Sequence, residues 1–118
     1  MSEKRIKVIG NCILLPDGKS RVFPSSIKEH IVYREMVFVL LECTSEDARK
    51  EHVFALNEYG DIIWQIGNVD YPGAISPCPF TNMNIAKQTG DLLLYNACGI
   101  LLALVPETGK ILENLFTK

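Results

Sequence analysis

Ala55-Leu56-Asn57-Glu58-Tyr59-Gly60-Asp61-Ile62-Ile63-Trp64 reads as an apolar run, an acidic glycine turn and a second apolar run. The same phrase returns, degraded, as Ala103-Leu104-Val105-Pro106-Glu107-Thr108-Gly109-Lys110-Ile111-Leu112. A phrase used twice governs architecture more than any single motif does, and this one describes a β-hairpin: glycine supplies the positive φ of a tight turn, and Asp and Asn tolerate the left-handed region.

Working outward, the same punctuation falls at Pro16-Asp17-Gly18, Pro24-Ser25-Ser26, Asp70-Tyr71-Pro72-Gly73, Ser76-Pro77-Cys78-Pro79 and Thr89-Gly90-Asp91. Between these turns lie stretches of strand length, rich in β-branched and aromatic residues: residues 6–9, 12–15, 20–23, 27–33, 36–43, 52–57, 62–66, 83–87, 92–96, 100–105 and 110–116. They predict about ten short strands. Val37 to Leu41, Leu92 to Tyr95 and Gly99 to Leu104 are apolar almost throughout, which suits strands covered on both faces. Residues 62–66 alternate, with Ile62, Trp64 and Ile66 sharing one face. Ile111, Leu112, Leu115 and Phe116 also fit one face of a helix, so 110–116 is a strand only by analogy with 62–66. Ser45 to Glu51, polar and short, reads as a decorated hairpin loop.

Aligned on their turns, residues 27–66 and 83–116 share one plan, a four-strand meander. The offset is 49 at Gly60/Gly109 and 55 at Val37/Leu92, and the charged loop 46–51 absorbs the difference. Residues 12–23 repeat the last hairpin of the plan, giving about two and a half units. At 118 residues, 47% hydrophobic, residues 1–118 are expected to form a single all-β domain that buries roughly two thirds of its unfolded surface.

These units resemble β-propeller blades of the PQQ (quinoprotein) type, through Ala55-Leu56-Asn57, Gly60 to Trp64, and Ala103 to Leu112. The sequence departs from that pattern where Asn57 and Val105 stand for Asp and Glu113 stands near the place of Trp. The resemblance implies antiparallel blade-like sheets with Gly60, Gly109 and Trp64 in structural roles, and it carries over no catalytic residue. Two and a half blades cannot close a ring, since propellers typically have four or more. The alternatives are completion by further chains, a symmetric homodimer among them, or a β-sandwich or small barrel.

Lys and Arg total 12 against 14 Asp and Glu, a net charge of −2 without charge blocks, which argues against nucleic acid as a partner. The charged N-terminus is followed by no apolar run of signal or membrane length, so the expected address is the cytoplasm and no membrane is involved. Cys12, Cys43, Cys78 and Cys98 lie singly, without the C-x-x-C spacing of zinc or redox sites, and read as reduced: Cys12, Cys43 and Cys98 as small core residues, and Cys78, between two prolines, as the one facing solvent. His30 follows Glu29 and His52 follows Glu51, but neighbours on a strand point to opposite faces, so neither pair is a ready acid/base couple and both histidines read as surface residues. Asp17, Asp61, Asp70 and Asp91 read as turn formers. No catalytic, metal or cofactor signature is present in the sequence.

The segment 68–84 holds three of the six prolines and is the least repetitive part of the chain. Tyr71, Pro72 and Phe80 are its candidate binding residues, because pre-organised loops bearing aromatics suit recognition; the competing reading is a crossover whose aromatic tucks into the core. The functional expectation is a non-catalytic cytoplasmic protein-binding or scaffolding module, of accessory or immunity type, with a protein partner. The alternatives are a small-ligand sensor and an enzyme whose site forms between subunits.

Overall fold

A computed structural model describes residues 6–42, 52–66, 80–96 and 99–116, and among them every regular element is a β-strand. Eleven strands follow in chain order: β1 (Lys7–Ile9), β2 (Cys12–Leu14), β3 (Ser20–Val22), β4 (Ile27–Tyr33), β5 (Met36–Leu41), β6 (Val53–Asn57), β7 (Ile62–Ile66), β8 (Phe80–Ile85), β9 (Leu92–Asn96), β10 (Ile100–Leu104) and β11 (Ile111–Phe116). They form three antiparallel meanders, ordered β1-β2-β3, β4-β5-β6-β7 and β8-β9-β10-β11. Within each meander every strand pairs with its neighbours in sequence, as short turns dictate. Residues 111–116 are a strand, because β10 offers them a ladder from Ile100 opposite Phe116 to Leu104 opposite Ile111. The polar loop 43–51 lies outside the described residues.

The turns close as their residues require. In the β6–β7 turn the Asn57 carboxamide oxygen accepts from the N–H groups of Tyr59 (2.9 Å) and Asp61 (3.0 Å), and Gly60 takes φ 86°. The β10–β11 turn uses different side chains for the same bend. There Thr108 Oγ1 accepts from the Lys110 N–H, and Gly109 takes φ 74°. Asp17 holds the β2–β3 turn by accepting from the Lys19 N–H at 3.0 Å.

The three sheets stack face to face. One core lies between the first and second sheets, built on Ile13, Leu15, Phe23, Val37, Val39, Leu41, Phe54 and Leu56. The other lies between the second and third, built on Met36, Phe38, Leu40, Val53, Ala55, Met83, Leu92, Leu94, Leu102 and Leu104. The middle sheet is therefore covered on both faces, and all six residues of β5 are buried, as its unbroken apolar run predicts. The equally apolar β9 differs: Leu92 and Leu94 are buried, while Leu93 and Tyr95 are only half-buried, because no sheet among the described residues stacks on the far face of the third sheet.

Two expectations change in detail. The N-terminal unit is a three-strand meander, since β1 joins the hairpin through Val8 opposite Ile13. Ile62 does not share a face with Trp64, because a bulge at Ala55/Leu56 sets Ile62 opposite Leu56 and Trp64 opposite Ala55, leaving Ile63 as the extra residue. The fold is the antiparallel, blade-like meander expected from the repeat.

Candidate functional site

The sequence marked Tyr71, Pro72 and Phe80. Tyr71 and Pro72 lie outside the described residues, as does Asp70. Phe80 opens β8 and is 2% exposed, a member of the core between the second and third sheets. Its partner is His52, which the sequence reading placed on the surface and which is fully buried. His52 Nε2 accepts from the Phe80 N–H at 2.9 Å, and the two rings lie 5.4 Å apart, centroid to centroid. The His52 backbone also binds both neighbours, its carbonyl accepting from the Leu41 N–H and its N–H donating to Ile66. The imidazole thus satisfies the N–H at which β8 begins, where a bulge at Phe80/Asn82 interrupts the ladder. Isolated from any repeat, a single histidine at the head of an apolar run gives no signal of such a role.

Glu29 does a related job. It sits at the bulge in β4, with Oε1 accepting from the Met83 N–H at 3.0 Å and Oε2 from the Asn82 carboxamide at 3.1 Å. His30 next to it is half-buried, opposite Val39 in the register. Glu51 lies outside the described residues. Among the described residues no three His, Cys, Asp or Glu side chains gather as a metal site would need. Cys12 is a half-buried free thiol, and the other three cysteines lie outside the described residues.

A second set of contacts repeats from sheet to sheet. Arg21 on β3 donates its Nε–H to the Gly60 carbonyl at 2.6 Å, reaching from the outer strand of the first sheet to the last turn of the second. Trp64 on β7 donates its indole N–H to the Pro106 carbonyl at 2.7 Å, from the outer strand of the second sheet to the last turn of the third. Their register places are the same: Arg21 stands opposite Ile13, and Trp64 opposite Ala55, one step from the turn-proximal pair in each hairpin. Each receiving turn fits closely against the sheet before it. A Cβ on Gly60 would come 2.5 Å from Leu15 Cδ1, and one on Gly109 would come 2.7 Å from the Trp64 ring. Arg and Trp share no chemistry visible to a sequence alignment; only the ladder shows that they hold one place.

The series has two open ends. On the outer face of the first sheet stand Lys7, Ile9, Cys12 and Leu14, in the register places that Val37, Val39, Phe54 and Leu56 hold in the second sheet. Those four are buried, whereas Ile9 is 66% exposed and Cys12 and Leu14 are half-buried. On the outer face of the third sheet, Leu93, Tyr95 and Leu101 hold the places of Phe38, Leu40 and Val53, which are buried in the second; all three are half-buried here. Apolar residues thus reach solvent, in whole or in part, on both end faces of the described stack.

Beside the turns, Pro16, Asp17, Glu35, Glu58 and Tyr59 line a shallow acidic recess of about 230 Å³. A hydrogen bond to Glu58, and then that carboxylate's charge, raise the Tyr59 phenol above its ordinary value. Lys19 lies 5.8 Å over the same ring.

A family model described as "Domain of unknown function (DUF7957)" matches residues 4–116, and the chain belongs to that family. No curated protein matches the chain. Among solved structures it is similar to the crystal structure of BamB from Moraxella catarrhalis, a PQQ-like β-propeller protein, with a TM-score of 0.63 at 18% identity. The likeness covers 97% of this chain and 35% of that one, so the chain spans about a third of that protein's length. At this identity the likeness is one of fold, and it agrees with the blade-like reading of the repeats.

Proposed function

We propose that this chain is a non-catalytic protein-binding or scaffolding module of accessory or immunity type, working in the cytoplasm through the outer faces of its blade-like stack. The observation that carries the reading is the set of apolar residues on those faces, at places where the same ladder buries its residues in the second sheet. Covering such residues by a partner removes apolar surface worth about 25 cal/mol per Å² from water. The buried His52 and the half-buried Glu29 are engaged in holding sheets together and fit a structural role. A protein partner therefore suits the molecule better than a substrate does, and a homodimer is one form that partner takes in this reading.

The sensor alternative draws on two surface recesses: the one at Tyr59, about 230 Å³, falls below the roughly 300–1,000 Å³ of pockets that enclose small ligands, and the one beside Gly18, about 480 Å³, reaches that size but is open to solvent where such pockets bury their ligand. The test is affinity capture with the immobilised chain beside Ile9→Arg and Leu93→Arg variants, run in parallel with a metabolite screen read by melting temperature. A protein retained by the wild type and lost with either variant supports the reading. No retained protein, together with a metabolite that raises the melting temperature, replaces it with the sensor.

A further inference from the structure

We infer that the partner for the two open faces is a second copy of this chain, stacked head to tail, the outer face of one copy's third sheet against the outer face of the next copy's first sheet. The inference rests on reading those faces as protein-binding surfaces and adds the identity of the partner and the geometry of the contact. The chain makes one contact between sheets twice internally and presents its receiving half once more, at the first sheet. Where a sheet precedes the turn, the turn glycine is packed: Gly60 against Leu15, and Gly109 against Trp64. Gly18 is the corresponding glycine of the first sheet, with φ 89°, and a Cβ placed on it meets nothing within 4 Å. Around it lies an open cavity of about 480 Å³ lined by Lys7, Leu14, Leu15, Pro16 and Gly18. This is a receiving turn that no sheet among the described residues fills.

The other half stands at the far end. The place held by Arg21 and Trp64 falls, in the third sheet, on position 113, opposite Ala103 as Trp64 is opposite Ala55. There the sequence has glutamate. Lys7 lines the receiving cavity, so the sequence supplies opposite charges at the two register places, where the internal versions use an Arg and a Trp donor to backbone carbonyls. Leu93, Tyr95 and Leu101 would meet Ile9, Cys12 and Leu14, apolar against apolar, as in both existing cores.

A heterologous contact of this kind closes into a ring when its rotation allows and grows into a filament when it does not. The chain matches 35% of the length of one propeller chain. Three such spans come to about the whole of it, so the expected assembly is a closed ring of three copies. A symmetric dimer would instead pair like faces and leave the turn-to-strand contacts unmade.

Sedimentation velocity and light scattering of the full chain, from low to high micromolar concentration, test this directly. The expected species has three times the 13.2 kDa chain mass. Ile9→Arg blocks only the receiving face, at a residue already 66% exposed, and Leu93→Arg blocks only the opposite one. Each variant alone is expected to be monomeric with a wild-type far-UV spectrum, and an equal mixture is expected to form a one-to-one dimer through the single intact pair of faces. Lys7→Glu is expected to weaken assembly at least tenfold, and adding Glu113→Lys to restore it. A wild type that stays at 13.2 kDa throughout overturns the inference, and if that monomer still captures another protein through Ile9 the broader binding reading stands. Self-association undiminished by Ile9→Arg overturns it as well, because the contact then lies elsewhere. Any stoichiometry other than three overturns the ring.

Discussion

Leu56 and Leu14 hold one register place in two sheets: each is the last residue paired with the following strand before a glycine turn, opposite Ile62 and Ser20, and each faces Val37 or Lys7 on the strand before. Leu56 is buried and Leu14 half-buried. The difference lies in the stack, since among the described residues the second sheet has a neighbour on each side and the first has one. Burial in this molecule follows a sheet's place in the row as much as the residue that the sequence supplies. The sharpest way to break that comparison is Leu56→Ala beside Leu14→Ala in urea unfolding. Leu56→Ala is expected to cost about 2–5 kcal/mol, the range for a buried leucine, and Leu14→Ala about 1 kcal/mol in dilute monomer. Equal losses would mean that the outer face is already covered.

The interior contacts give the next largest effect. His52→Ala removes the acceptor for the Phe80 N–H and is expected to cost about 1–3 kcal/mol for the buried donor left unpaired, with loss of hydrogen-exchange protection at Phe80. A protected Phe80 amide in that variant would sink the assignment. Gly109→Ala and Gly18→Ala then separate packing from backbone strain. Both glycines have positive φ, a shared penalty of about 1 kcal/mol for alanine, but only Gly109 meets a ring within 3 Å. Gly109→Ala is expected to lower the melting temperature further than Gly18→Ala in the monomer, and identical shifts would deny the close fit of Trp64.

The smallest effect concerns pH. The bond from Tyr59 to Glu58 holds the phenol above its ordinary 10.0. A group raised in the folded state contributes stability below its unfolded value and loses it as pH rises through the folded one, so the window here is alkaline. Glu58→Gln is expected to move the Tyr59 titration, followed by ultraviolet absorbance, to lower pH. No movement would show the phenol to be free of Glu58.

The parts of this architecture written in single residues were legible in the sequence. Gly60 and Gly109 announce their hairpins because few residues accept their conformation, and β5 announces a doubly covered strand because no polar residue interrupts it. Contacts set by register were not. Arg21 and Trp64 share a place only through ladders whose bulge shifts one of them by a residue. Glu29 reaches the third sheet from a bulge that no local pattern specifies. β8 begins at Phe80, ahead of the stretch read as a strand from Met83, because the buried His52 supplies a partner for the Phe80 N–H. As for the marked loop, its aromatic Phe80 lies in the core, and Tyr71 and Pro72 fall outside the described residues.

The latches from Arg21 to Gly60 and from Trp64 to Pro106 span 39 and 42 residues, whereas every strand pairing joins neighbours in the chain. Hairpins between sequence neighbours form in about 1–10 µs, and contacts of longer separation follow once loop closure has been met. The kinetics that follow are hierarchical: each meander zips by itself, and the latches set the order in which finished sheets dock. Unfolding runs the same sequence backward, so the end sheets open before the middle one, and whatever covers an end slows the first step of losing the whole.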